Sequence, residues 1–244
     1  MHPTRKTALV TGVLFVITFI TSIPAVVLYG PVLHDPGYVL GAGADARVSL
    51  GAVLEVLLVI ANIGTAVALF PVLRRRHEAL ALGYVTARVV ESTLIAAGVV
   101  SLLAVVTLRQ GAAGAAGADA AALVAAGKAL VAFHDRTFLL GPGFAAGAGN
   151  GLLLGYMLYR SGLVPRRMAL LGLVGGPLVC ASGIAVLFGL YQQVSAWSLL
   201  ATLPEIAWEA SLGIWLIAKG FTPSSDDAAA PSRPEPALSA RPGR

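Results

Sequence analysis

The apolar residues of this chain fall into blocks of about twenty, the length an α-helix needs to cross ~30 Å of hydrocarbon. Six blocks stand out, at residues 8–30, 48–73, 79–108, 137–159, 168–191 and 199–218. A soluble helical protein would show shorter runs, each with a polar face. Its surface would also need roughly 25% charged residues. Here charged residues make up 12%, apolar residues 57%, and the mean hydropathy is +0.82. The fold class expected is therefore all-α, an integral membrane bundle of six transmembrane helices. Arg5 and Lys6 ahead of the first block imitate a signal peptide. The apolar run that follows is too long for a signal core, so it is read as a retained span.

Positive charge sets the orientation, because short cytoplasmic loops collect Lys and Arg. Twelve of the seventeen fall in alternate segments: Arg5 and Lys6, Arg74 to Arg76, Arg160 with Arg166 and Arg167, then Lys219 and three arginines beyond it. The intervening segments hold four, namely Arg47, Arg109, Lys128 and Arg136. This alternation puts both termini in the cytoplasm. It also accounts for the net charge of +5 without nucleic acid as a partner. Fourteen Arg against three Lys, with abundant Ala and Gly, fits a GC-rich bacterial genome. A multi-pass protein of the bacterial cytoplasmic (plasma) membrane is the location this implies. Residues 1–221 form the transmembrane domain. The Pro- and Ser-rich segment 222–244 reads as a disordered cytoplasmic tail.

The outer segment before the fourth block is rich in Ala and Gly. Asp119 could cap a helix over 120–132 that lies across the outer surface as a lid, and an unstructured spacer is the other reading. The lone cysteine, Cys180, excludes a disulfide framework.

Lipid gives apolar helices no hydrophobic reason to associate, so small residues that let backbones touch carry the packing. Gly143, Gly147, Gly151 and Gly155 recur every fourth residue in span four, and Gly172 and Gly176 repeat the spacing in span five. Both runs read as internal helix seams, with a homo-oligomer seam as the alternative use. Pro142 and Pro177 should kink or interrupt these two spans.

Five ionisable residues lie inside spans: Glu55, Arg88, Glu91, Glu205 and Glu209. Each costs about 2.5–3.5 kcal/mol near a helix centre unless it faces protein or water. Glu205 and Glu209 are one turn apart and share a face with Trp208; Arg88 can pair with Glu91; Glu55 shares a face with Asn62. With His134 and Asp135 at the outer entrance of span four, these residues suggest one acidic pocket that opens outward and is floored by Arg88. Four acids facing one arginine leave at least one carboxyl to hold a proton or to meet a bound cation or water.

No phosphate loop, zinc-helix pair, nucleophile elbow or dinucleotide fingerprint is present. No metal or other cofactor is expected, and an enzyme is the less favoured class. The function this supports is binding and translocation of a small cationic or protonatable ligand, or of an ion, through the acidic pocket. One alternative is a membrane scaffold or sensor whose charges only hold the bundle together. A second is a membrane-embedded enzyme acting on a lipid-like substrate, with paired carboxyls as acid and base. The segments Gly162-Leu-Val-Pro-Arg-Arg-Met-Ala-Leu-Leu-Gly172, Pro204-Glu-Ile-Ala-Trp-Glu209 and Leu212-Gly-Ile-Trp-Leu-Ile-Ala-Lys-Gly-Phe221 carry a resemblance. The chain resembles a bacterial family of uncharacterised membrane proteins, domain of unknown function 4386, from about Arg5 to Phe221. That resemblance implies an integral membrane protein and transfers no site residue.

Overall fold

The computed structural model describes residues 3–222. These residues are helical throughout their ordered elements, with no strand among them. Helix α1 is Pro3–Leu28, and the stretch Asp45–Gly111 forms two helices, α2 (45–76) and α3 (78–111). Helix α4 runs through Gly117–Ser161, α5 is Arg166–Leu187 and α6 is Ala196–Ala218. All are long and apolar enough to cross a membrane, counting α2 and α3 together as one 67-residue helix. The molecule is an integral membrane protein built as a helical bundle. The tail read as disordered lies, from residue 223 on, outside the described residues.

Three expectations about local structure need correction. No loop separates spans two and three. The chain reverses at His77 alone, whose φ of −147° and ψ of 75° leave the helical region. Pairing of Asp45 with Arg109, and of Asn62 with Glu91, shows that α2 and α3 run antiparallel from this point. Pro177 does not interrupt α5, which stays α-helical from Arg166 to Leu187. Segment 120–132 is helical, but it neither crosses the bundle nor starts at Asp119. Its N-cap is Ala116, with no side-chain cap, and it runs straight into span four. Ser101 Oγ donates to the Leu130 carbonyl at 2.6 Å, which holds this segment along α3.

The two ends of the bundle are fastened differently. At the end where the described residues begin and finish, called proximal below, Arg5 donates to the carbonyls of Leu216 (2.8 Å) and Ile217 (2.7 Å). Those carbonyls sit in the last turn of α6, where no intrahelical partner is available and a cation suits the helix dipole. One turn deeper, a Cβ on Gly12 would stand 2.7 Å from the Gly213 carbonyl, so α1 and α6 touch through their backbones. Around this contact lies an apolar core that includes Phe15, Leu69, Tyr84, Met157, Trp208 and Leu212. Gly162 turns the chain from α4 into α5 with φ of +65°, a conformation that favours glycine.

At the opposite, distal end, a smaller core forms around Tyr29, Val32, Tyr38, Val48 and Leu102. It is closed by a polar clasp between the distal ends of α2 and α3. Arg109 Nε donates to Asp45 Oδ1 at 2.6 Å and its Nη2 to Asp45 Oδ2, while Tyr38 Oη donates to Asp45 Oδ1 at 2.8 Å. Burial, with the bond to Asp45 adding to it, pushes the Tyr38 phenol up to about 12.

Candidate functional site

Between the two apolar cores lies a polar layer. On its α2–α3 side, three side chains close a ring. Arg88 Nη1 donates to Glu91 Oε2 at 2.8 Å, Arg88 Nη2 donates to Asn62 Oδ1 at 2.5 Å, and Asn62 Nδ2 donates to Glu91 Oε1 at 3.0 Å. The i,i+3 spacing on α3 brings the guanidinium and carboxylate together, and the antiparallel reversal at His77 delivers Asn62 to both. Arg88 is only 2% exposed; the ring meets its two terminal nitrogens, Nε has no partner among the described residues, and Glu205 and Glu209 also lie within Coulombic reach. A buried carboxylate bonded at both oxygens in this way suits a structural tie.

The other side of the layer is built where α4, α5 and α6 meet. Here α4 leaves α-helical geometry and runs as π-helix over Leu139–Ala145 and Gly147–Leu154. The cause is local. Pro142 supplies no N–H, and Gly141, Gly143, Gly147, Gly149 and Gly151 set little resistance to a wider turn. The π-helical stretch carries Asn150, which is fully buried. Its carbonyl accepts from Trp208 Nε1 at 3.0 Å and its Nδ2 donates to Glu209 Oε1.

Glycines make this junction possible. A Cβ on Gly147 would lie 2.8 Å from the Gly176 carbonyl, and one on Gly155 would lie 3.2 Å from Leu173 N. Gly151 faces Gly176, and its Cβ would meet Glu205 Oε2 at 2.5 Å. Gly172 makes room for Trp208, at 2.7 Å from Nε1. Gly143 is different: its nearest neighbour is Leu139 of its own helix at 3.8 Å, so it takes no part in the seam.

Glu205 projects into this glycine junction, only 5% exposed, and neither carboxyl oxygen has a hydrogen-bond partner among the described residues. Gly151 and Gly175 flank it, and Glu209, Arg88 and Glu91 all lie within Coulombic reach. Glu209, one turn along α6, is partly accessible and held by Asn150.

Glu55, His134 and Asp135 are elsewhere. They line a separate cavity of about 590 Å³ at the distal end. Tyr29 Oη donates to Glu55 Oε2 at 3.0 Å, and the Tyr29 ring meets His134 edge-on at 5.9 Å. Gly51, one turn before Glu55, clears the way: a Cβ there would lie 2.8 Å from the Tyr29 ring. The α5–α6 connection forms the rim, fixed by Tyr191 Oη donating to Ser182 Oγ at 2.8 Å.

The single pocket expected from the sequence is thus two sites. Glu55, His134 and Asp135 share the distal cavity; Asn62, Arg88, Glu91, Glu205, Trp208 and Glu209 share the buried layer. Seven residues on α2 separate Glu55 from Asn62, about 10 Å along the axis, which is enough to divide them. Asn150 escapes notice in the sequence, and Tyr29 is read there only as an aromatic near the outer boundary. A buried asparagine within a glycine-rich apolar span was the available signal for the first. Tyr29 reads as an interfacial aromatic until Gly51 is seen opposite it.

The matched segment includes almost every residue named above. A family model described as a domain of unknown function (DUF4386) matches residues 10–220, and the chain belongs to that family. No curated protein and no solved structure matches the chain.

Proposed function

We propose that the protein binds and translocates a small cation or protonatable molecule, with the Glu205–Glu209 pair as the exchange site and the distal cavity as the entrance. The observation that carries this reading is the Glu205 carboxyl, buried at the glycine junction with no donor to either oxygen. An ionised carboxylate there would stand desolvated and unpaired, at a cost of several kcal/mol. A proton or a cation removes that cost, so the site favours an occupant of positive charge. Its arrival or departure changes the electrostatics of the contact where α4, α5 and α6 meet backbone to backbone. Such close, side-chain-free contacts can shift without repacking large side chains. The distribution of Lys and Arg supports cytoplasmic termini, which turns the distal cavity outward, and the composition supports a bacterial cytoplasmic membrane.

The test is ion flux in proteoliposomes carrying an internal pH dye, with imposed proton or alkali-cation gradients. The native protein should dissipate a gradient that Glu205→Gln, folded and inserted equally well, leaves standing. Equal flux for the two proteins, or none above empty liposomes for either, would sink the reading. The closed Arg88–Asn62–Glu91 ring favours a second, purely structural role for those three residues, and their substitution should act on stability before flux.

A further inference from the structure

The distal cavity is chemically unlike the buried layer beneath it. Its volume of about 590 Å³ falls within the range of sites for small organic molecules and far exceeds what an inorganic ion requires. Much of its wall is apolar, with Val26, Leu33, Phe138 and Val186 among the lining residues. Against these walls stand two buried polar groups. Glu55 is 4% exposed, and Tyr29 engages one of its oxygens. His134 is 6% exposed, and its Nδ1 has no hydrogen-bond partner; the nearest carboxylate oxygen, on Asp135, is 3.6 Å away.

Tyr29 meets both: its hydroxyl bonds Glu55 and its ring lies edge-on to the His134 ring. Asp135 and Arg136 also line the cavity, but both are solvent-exposed and opposite in sign. The buried acidic group of the cavity is therefore Glu55.

We propose that this cavity is the receptor site for a small organic ammonium ion, one that carries N–H donors and an apolar, arene-sized body. The ammonium donates to Glu55, whose second oxygen Tyr29 leaves free. The body fills the space beside Phe138 and Val186. An anion of the same shape would meet a buried carboxylate. A quaternary ammonium has no N–H to donate to Glu55. The inference deepens the transport reading and rests on it for the ion's onward path, but the binding itself does not require transport.

The experiment is isothermal titration of the full chain in nanodiscs with 2-phenylethylammonium, set against 3-phenylpropionate, an anion of similar size and shape. The cation should bind saturably and the anion should not. Glu55→Gln, which keeps an acceptor for Tyr29, should weaken the cation at least tenfold while the melting temperature holds. Val186→Trp, which fills the cavity and leaves both polar groups intact, should abolish binding even if Glu55→Gln proves unstable. Equal binding of cation and anion, no binding of the cation, or unchanged binding in Glu55→Gln or Val186→Trp would overturn the proposal. Amine binding without Glu205-dependent flux would sink the transport reading alone. Flux without amine binding would sink this one alone.

Discussion

Glu91 and Glu205 are the same residue type, each 5% exposed and each within reach of Arg88, yet they have opposite surroundings. Both oxygens of Glu91 accept hydrogen bonds, one from Arg88 and one from Asn62. Neither oxygen of Glu205 accepts any. Burial alone therefore separates nothing here. What differs is whether the fold itself satisfies the charge, as in the ring, or leaves that to something that comes and goes. A membrane interior makes the distinction sharp, because lipid supplies no hydrogen bonds to an unsatisfied group.

The largest effect should come from opening the ring. Arg88→Met removes the one cation and leaves Glu91 buried with only Asn62, so unfolding should become easier by about 3–5 kcal/mol. Reversible unfolding in mixed detergent micelles measures it. A loss below about 1 kcal/mol would show that Glu91 is no better satisfied than Glu205, and the comparison would collapse.

Next comes the seam that encloses Glu205. In Gly151→Ala the new Cβ would lie 2.7 Å from Gly176 N, closer than real contacts allow, so α4 and α5 must part. A cost of about 1–3 kcal/mol is expected from such overpacking. Gly143→Ala, whose nearest neighbour would be 3.8 Å away, should cost almost nothing in packing. If the two variants unfold alike, the seam does not confine Glu205.

The architecture is written plainly in the sequence because the bilayer imposes it: block length gives the spans, and the four-residue glycine spacing gives the α4–α5 contact through Gly147, Gly151 and Gly155. The candidate site is less legible. Spacing along one helix pairs Arg88 with Glu91, but nothing local reveals that Asn62 completes their ring from the antiparallel helix. Nor does spacing show that Glu55 faces a different space from Glu205. That separation depends on how far α2 is displaced along its axis relative to α6, a property of packing. The π-helical run of α4 is likewise hidden. Pro142 signals a disturbance, and only the wider turn places the Asn150 carbonyl against Trp208.

The distal clasp offers a third case, a carboxylate bonded from two sides at the bundle's end. Arg109, Asp45 and Tyr38 repeat the combination of guanidinium, carboxylate and a third polar group. Tyr38 is buried and its phenol is pushed from 10.0 up to about 12, so the neutral form is the one the fold favours. Its contribution should be fully present below about pH 10 and lost as pH rises through about 12, since a phenolate would sit beside Asp45. The loss should reach about 2 kcal/mol and be missing in Tyr38→Phe. Unfolding free energies of the two proteins compared across this alkaline range decide it. Parallel profiles would mean that the clasp does not depend on the phenol proton.

The smallest change in stability should come from the residue with the most functional weight. Glu205→Gln removes an ionisable group that makes no hydrogen bond in the protein, and the amide is nearly the same size, so no cavity opens. The folded state loses no bond and no longer has to hold a desolvated carboxyl. Unfolding free energy should therefore move by less than about 1 kcal/mol, toward greater stability if it moves at all. Glu91→Gln, an equally conservative change at equal burial, should destabilise by several times that amount, because Arg88 would keep its charge and lose its counter-ion. The measurement is the pair of values under one set of conditions. Equal destabilisation would make Glu205 a structural tie like Glu91 and remove the ground for treating it as an exchange site. A neutral Glu205→Gln beside a costly Glu91→Gln separates the carboxyl that holds the bundle together from the one the bundle holds in readiness.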